Sequence, residues 1–199
     1  MSRAPDLHRA ADAAARVLLA QRVDALPVDP LRLLRACRDT QVYTFEDAAD
    51  ALDVPRDAIS AHLRDADAVT YRMPSAEKLL YIIVYRTDGN PARLRFTLAH
   101  ELGHRVLGHE GTSPAEEAEA DCFASHLLCP EPVVKAVAAH TADVVWRLAQ
   151  ACYVTDACAR CALARPSARL SSNTADALQQ LLAVAVGKIA PPKAERSDQ

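Results

Sequence analysis

The segment from Arg93 to His109 reads RLRFTLAHELGHRVLGH, and the predicted fold is arranged around it. Within it, His100, Glu101 and His104 form the pattern HExxH, with the two histidines four residues apart. Because four residues of α-helix complete slightly more than one turn, both imidazoles would project from the same helical face. The spacing therefore predicts that one tetrahedral Zn²⁺ could bind both rings, with Glu101 close enough to act as a general base toward water.

The residues around the motif have the features of a half-buried helix. Gly103 would cost about 1 kcal/mol relative to alanine inside a helix, which is easier to explain where another backbone packs close to the metal. Gly108 and Gly111 mark the exit of the helix. HExxH alone fixes only three positions, so a helix that merely carries two histidines is the alternative interpretation. An apolar stripe accompanies the histidines, and it comprises Phe96, Leu98, Ala99, Leu102, Val106 and Leu107.

A third ligand is expected from a second helix. Ser113, followed by a proline, has the character of a helix N-cap, and Glu116 stands where a capping box requires it. Glu117 and Asp121 then lie one turn apart on one face. A carboxylate ligand at Glu117 would complete a His₂Glu zinc site, and Asp121 could accept the free N–H of a ligand histidine. The alternative is that early acidic residues only complement the helix dipole, which is our interpretation of Glu116 and Glu119.

His109 is not expected to bind the metal. It lies nine residues after His100, half a turn away from the metal face, and it misses the longer HExxHxxGxxH spacing by one residue. We interpret it as a helix-end residue. The donor that would stabilise an oxyanion stays open among Tyr153, His109 and His126.

The two segments together resemble the ImmA/IrrE-type zinc metallopeptidases. The family pattern RxRFTxAHExGH matches the stretch from Arg93 to His104, and the pattern ExxA[ND]xFAxxLLxP matches the stretch from Glu117 to Pro130. Two linked patterns at this distance are far more specific than HExxH alone. Looser similarity extends over residues 11–165.

The resemblance implies both a complete site and a function. The implied site consists of zinc ligands His100, His104 and Glu117, the catalytic Glu101 and the supporting Asp121. The implied reaction is zinc-dependent peptide hydrolysis. The implied substrate is a specific partner protein, typically a helix-turn-helix repressor of a phage or mobile element.

The whole sequence predicts an α+β protein, mostly helical and zincin-like. Strands are expected over residues 41–44, 68–73 and 79–86, as a small three-stranded sheet beside the HExxH helix. Residues 1–130 would form the metallopeptidase core with the N-terminal helices, the sheet and the zinc-site helices. Residues 131–190 would form a helical region packed on it, with one helix from Asn173 to Val186. The polar, proline-marked segment 191–199 is expected to be disordered.

An alternative function is a DNA-binding or protein-interaction regulator with a structural or vestigial metal site. It rests on two stretches that resemble helix-turn-helix motifs, Thr44–Leu63 and Asp143–Arg160. Their weakly basic second helices, the net charge of −3 and the pI of about 6.2 disfavour direct nucleic-acid binding. No apolar run approaches the roughly 20 residues of a membrane span. Because the N-terminus also has no signal-peptide core, a cytoplasmic protein is expected.

Overall fold

The computed structural model describes residues 3–55, 57–59, 66–74, 79–140, 143–166 and 170–189. The segment predicted to be a disordered tail, 191–199, lies outside the described residues. In the described ranges no helix is both long and apolar enough to cross a membrane. The elements in chain order are α1 (Leu7–Ala20), α2 (Pro30–Arg35), β1 (Thr40–Thr44), α3 (Phe45–Leu52), β2 (Ala68–Pro74), β3 (Leu79–Tyr85), α4 (Pro91–Leu107), α5 (Pro114–Leu128), α6 (Glu131–His140), α7 (Val144–Cys152), α8 (Asp156–Ala164), α9 (Ser172–Leu181) and α10 (Ala183–Ile189).

The three strands form one small sheet, as predicted, and the sheet is mixed. Its order is β1–β3–β2, with β3 parallel to β1 and antiparallel to β2. Ile83 on the central strand is in register with Val42 on one side and Thr70 on the other. The sequence of β3, LLYIIVY, is rich in β-branched and aromatic residues, which suits a central strand that is buried on both faces.

Helices cover both faces of the sheet. On one face, Ile83 and Tyr85 join the main hydrophobic core together with Leu102 of α4. On the other face, Ala48 and Ala49 of α3 form a smaller cluster with residues of β3. The main core continues through α1 and the C-terminal helices as one cluster. Residues from both predicted regions, 1–130 and 131–190, therefore contribute to it, and the boundary between the regions stays a prediction.

The ends of α4 and α5 are fixed by local chemistry. The Asn90 side chain accepts a hydrogen bond from the Ala92 N–H at the start of α4, and Gly108 ends the helix at a positive φ of 67°. In the capping box of α5, the Ser113 hydroxyl accepts from the Glu116 N–H, and the Glu116 carboxylate accepts from the Ser113 N–H at 3.0 Å. The predicted end of α4 at Gly108 and the predicted start of α5 after Ser113 are therefore confirmed.

Gly103 allows α4 and α5 to approach closely. A Cβ atom at this position would lie 3.0 Å from Cδ1 of Phe123 on α5. The predicted reason for this glycine, a neighbouring backbone, was therefore wrong in detail, since the neighbour is a buried aromatic side chain. The close contact places the histidines of α4 opposite the acidic face of α5.

The C-terminal prediction of one helix from Asn173 to Val186 was wrong. Two helices, α9 and α10, are separated at Leu182. Leu178, Leu182 and Ala185 are all buried in or beside the core. Because the apolar spacing continues across the interruption, sequence periodicity could not reveal it.

The two helix-turn-helix-like stretches share a turn residue with left-handed backbone. Asp53 after α3 and Tyr153 after α7 each have a φ of 51°. A glycine is common at such a position, but aspartate also adopts this conformation. In the first stretch, residue 56 and residues 60–65 lie outside the described residues, so its predicted second helix is described only over residues 57–59.

Candidate metal centre

Three side chains from α4 and α5 converge on one point. His100 Nε2 lies 2.8 Å from His104 Nε2 and 3.3 Å from Glu117 Oε2. His104 Nε2 lies 3.5 Å from Glu117 Oε1. These candidate ligand atoms all lie within 4.8 Å of one another, and no other such group of histidine, cysteine and acidic side chains occurs in the described ranges. Helical spacing on α4 and the close packing of α5 together produce this His₂Glu cluster.

The outer nitrogen of His100 is held by Asp121. His100 Nδ1 lies 2.8 Å from Asp121 Oδ1. An ionised carboxylate only accepts hydrogen bonds, so this contact assigns the ring proton to Nδ1 and leaves the Nε2 lone pair facing His104 and Glu117. Asp121 thus lies where the sequence predicted it, one helical turn after Glu117.

The outer nitrogen of His104 faces a buried pair of residues, His109 and Glu119. His104 Nδ1 lies 3.0 Å from His109 Nδ1, and His109 Nε2 lies 3.0 Å from Glu119 Oε2. Glu119 is fully buried, so our interpretation of it as a helix-dipole residue was wrong. Glu117 and Glu119 are two residues apart and point to opposite sides of α5, which is why only one of them faces the metal cluster.

His109 follows α4, as predicted for a helix-end residue, and it is not part of the metal cluster. Its proximity to His104 was not predicted, because helical spacing does not apply beyond Gly108. The left-handed backbone there reverses the chain and returns His109 to the ring of His104. The signal in the sequence was a histidine placed directly after a C-cap glycine, five residues from a candidate ligand.

The chemistry of the donor set fits a divalent cation. The contact of His100 Nδ1 with Asp121 leaves the Nε2 lone pair of His100 facing His104 Nε2, beside the Glu117 carboxylate. Without a cation, one of the two Nε2 atoms at 2.8 Å must carry a proton to avoid repulsion. A metal ion in place of that proton would accept both lone pairs and the Glu117 carboxylate, and two histidines with a glutamate are a known zinc donor set.

The electrostatic environment distinguishes the two histidines. Burial, together with the neighbouring rings of His100 and His109, lowers the pKa of His104 to about 4, so this ring is neutral near pH 7. Burial alone would lower the pKa of His100 as well. The hydrogen bond to Asp121 and the charges of nearby carboxylates outweigh it, and the pKa of His100 is raised.

Glu101 lies beside the cluster and is anchored by the sheet. Its Oε2 accepts a hydrogen bond of 2.5 Å from the Thr70 hydroxyl on β2. Burial raises the pKa of Glu101, against the opposing effect of that hydrogen bond. Thr70 is 31 residues away along the chain, and no spacing in the sequence pointed to it.

A cleft of about 410 Å³ lies between the cluster and β2. In the described part of the sheet, β2 is an edge strand with β3 as its neighbour. The Arg72 guanidinium donates to the backbone carbonyls of His109 and Glu110, which ties the loop after α4 to this strand. Of the three open candidates for an oxyanion donor, His109 lines the cleft, whereas Tyr153 and His126 do not belong to the described lining residues.

Comparison with known proteins agrees with this geometry. Residues 58–155 match the family model described as IrrE N-terminal-like domain, Peptidase_M78. No curated protein matches the chain. The matched region contains the whole His₂Glu cluster, Glu101 and strand β2, and the family supports a metallopeptidase-type function. Residues 58–155 are thus an IrrE N-terminal-like domain, and the predicted resemblance to the ImmA/IrrE-type family is confirmed over this region.

Proposed function

We propose that this protein is a zinc-dependent endopeptidase that cleaves a specific partner protein. The observation that carries the proposal is the convergence of His100, His104 and Glu117 within 4.8 Å, with the anchored carboxylate of Glu101 beside them. The cluster opens onto a cleft instead of being enclosed. An accessible set of three protein ligands is typical of catalytic zinc sites, whereas structural sites are usually closed by a fourth.

The proposed roles divide between the ligands and Glu101. Zinc held by His100, His104 and Glu117 would act as a Lewis acid toward the scissile carbonyl and the attacking water. Glu101 accepts the proton of that water and passes it to the nitrogen of the leaving amine. The Thr70 hydroxyl holds the Glu101 side chain in place through the 2.5 Å hydrogen bond. A raised pKa suits a carboxylate that must both accept and return a proton.

The substrate backbone is proposed to pair with β2. An extended peptide can add to an exposed sheet edge through main-chain hydrogen bonds. Ala68, Thr70 and Arg72 all line the cleft from this strand. A peptide laid along β2 would therefore run past Glu101, which contacts the same strand through Thr70.

The proposed partner is a helix-turn-helix repressor of a phage or mobile element. This step rests on the resemblance of the two site motifs to the ImmA/IrrE-type peptidases. Cleavage of such a repressor would release the genes that it represses.

The test combines purified protein with candidate repressors and follows cleavage by mass spectrometry. We expect one discrete cut with the true partner, loss of the cut on addition of a chelator, and recovery on addition of zinc. Glu101→Gln should retain zinc but lower the rate by about 10²–10⁴-fold, as is typical when a general base is removed. Glu110→Gln is the matched control, because Glu110 is exposed and lies outside the cluster. Full cleavage by a zinc-loaded Glu101→Gln protein would refute the assigned base.

The alternative, a DNA-binding regulator, makes a different prediction. It requires salt-dependent binding of the intact protein to duplex DNA, because phosphate contacts release counterions. We expect none beyond the weak background given by an unrelated acidic protein.

A further inference from the structure

The buried pair His109 and Glu119 has none of the roles assigned above to the metal ligands and Glu101, yet His109 contacts a proposed metal ligand, His104. We propose that these two are positioning residues, which hold His104 in the tautomer and orientation that zinc binding requires. The inference rests on the proposed function, since it concerns the affinity of the His₂Glu cluster for its metal.

With a neutral His109 ring, the hydrogen-bond network permits one consistent assignment of protons. Glu119 is a carboxylate and can only accept, so His109 Nε2 carries the hydrogen in their 3.0 Å contact. In a neutral ring, His109 Nδ1 is then an acceptor, and His104 Nδ1 must donate across their 3.0 Å contact. His104 Nε2 consequently has a free lone pair, and this is the atom that faces His100 and Glu117.

Glu119, at the far end of this series of hydrogen bonds, is held by the N-terminal segment. Glu119 Oε1 accepts from the Asp6 backbone N–H at 2.8 Å and from the Arg3 guanidinium at 2.5 Å. Glu119 Oε2, the other carboxylate oxygen, lies 3.0 Å from His109 Nε2. The carboxylate is therefore fixed at both oxygens.

The surroundings leave His109 little freedom to turn. Its side chain is 4% exposed and that of Glu119 is 1% exposed. The backbone carbonyl of His109 also accepts a hydrogen bond of 3.0 Å from Arg72 on β2. Because the His109 ring is held in place, its contact with Nδ1 of His104 fixes the orientation of the His104 ring. Outer partners of metal-binding histidines commonly act in this way.

The test measures zinc affinity directly, by competition with a chromophoric chelator, in the full-length protein. His109→Phe removes the acceptor for His104 Nδ1–H, and we expect a 10–100-fold loss of affinity. His109→Gln keeps an oxygen acceptor and should recover part of the loss. His126→Phe is the matched control, because His126 lies on α5, is also buried and takes no part in the hydrogen bonds that join His104, His109 and Glu119. Its zinc affinity should stay within twofold of that of the wild type.

A second measurement reads the tautomers in the wild-type protein loaded with zinc. Nitrogen-15 NMR of the imidazoles should show His109 protonated on Nε2 alone and His104 protonated on Nδ1. This readout decides the proposal if His109→Phe does not fold, and protonation of His109 on Nδ1 would overturn it.

The outcomes separate this inference from the proposed function. If His109→Phe binds zinc within twofold of the wild type while His100→Ala abolishes binding, the metal site stands and the positioning role is wrong. If the wild-type protein binds no zinc, the proposed function fails and the positioning role fails with it.

Discussion

On each side of the metal cluster, a different kind of group contacts the Nδ1 atom of the ligand histidine. On the exposed side, defined by His100 and Asp121, a carboxylate that is 61% exposed accepts the Nδ1 proton directly. On the buried side, defined by His104, His109 and Glu119, the acceptor is a second imidazole backed by a carboxylate that is 1% exposed. Because contacts at the surface contribute little to stability, an exposed carboxylate is expected to orient a ligand with little consequence for the fold. A buried one ties the ligand to the core and to the N-terminus.

Physical chemistry predicts different sensitivities for the two sides. Charges at the surface are screened by water and salt, and single surface contacts contribute little to stability. A buried carboxylate that loses its partners, or a partner that loses the carboxylate, leaves polar atoms that cannot be hydrated. Substitutions on the buried side should therefore affect both stability and metal affinity, whereas those on the exposed side should affect only metal affinity.

The largest effect is expected at the ligand that both sides share. Glu117→Ala should lower zinc affinity by more than 100-fold, beyond the roughly 10–100-fold that outer partners of a metal typically control. Competition with a chelator of known affinity provides the measurement, and the exposed Glu110→Ala is the control. A loss below tenfold would mean that Glu117 is not a ligand.

The next largest effect is expected on the free energy of unfolding of the metal-free protein, where substitutions on the buried and exposed sides should differ. Glu119→Ala leaves His109 and the Asp6 N–H without their buried acceptor, and we expect a loss of about 2–4 kcal/mol in the free energy of unfolding. Asp121→Ala, at the surface, should stay within about 0.5 kcal/mol of the wild type. Urea unfolding of chelator-treated proteins measures both. Equal losses for the two variants would contradict the contrast between the sides.

A pH titration extends the comparison to His126, a buried histidine outside the cluster. Burial and the charge of Arg165 lower the pKa of His126 to about 4, while Glu131 acts in the opposite direction. Since the ordinary value of 6.5 applies to the unfolded chain, that chain binds the proton more readily, and stability should fall as the pH drops from about 6.5 to 4. The loss from this residue should reach up to about 3 kcal/mol at pH 4.

His126→Gln should remove this part of the acid sensitivity, as followed by urea unfolding at pH 7 and pH 4.5. The exposed His8→Gln serves as control. If His126→Gln loses as much stability on acidification as the wild type, His126 is not responsible for it.

The smallest effect is expected on the exposed side. Asp121→Asn keeps an oxygen acceptor for His100 Nδ1–H but removes the charge, so zinc affinity should fall by only about tenfold, the lower end for an outer partner. Because the Asp121 carboxylate is exposed, the difference from the wild type should shrink as ionic strength rises. A difference that does not depend on salt would argue against a screened, surface contribution.

Local sequence signals predicted most of the framework of the site. HExxH spacing and the Ser113–Glu116 capping box placed the two site helices, and the alternation of β-branched residues placed the strands. The same spacing arguments predicted that His100, His104 and Glu117 would come together, as they do in the structure. Their roles as ligands, like that of Glu101 as base, stay predictions.

The residues that were missed depend on tertiary structure. His109 reaches His104 only because Gly108 reverses the chain. Glu119 reaches His109 because α5 packs against the end of α4, and Asp6 contacts the same carboxylate from before α1. Thr70 reaches Glu101 from a strand 31 residues away. Helical periodicity describes one element at a time, so it cannot detect contacts that form where elements meet.

Anomalous diffraction at the zinc absorption edge, from crystals of the zinc-loaded protein, tests most directly whether His100, His104 and Glu117 bind one zinc ion. We predict one strong peak between α4 and α5, at about 2.0–2.2 Å from His100 Nε2, His104 Nε2 and a Glu117 carboxylate oxygen. A zinc peak elsewhere on the protein, or the absence of any peak between these three side chains, would contradict the proposed metal site.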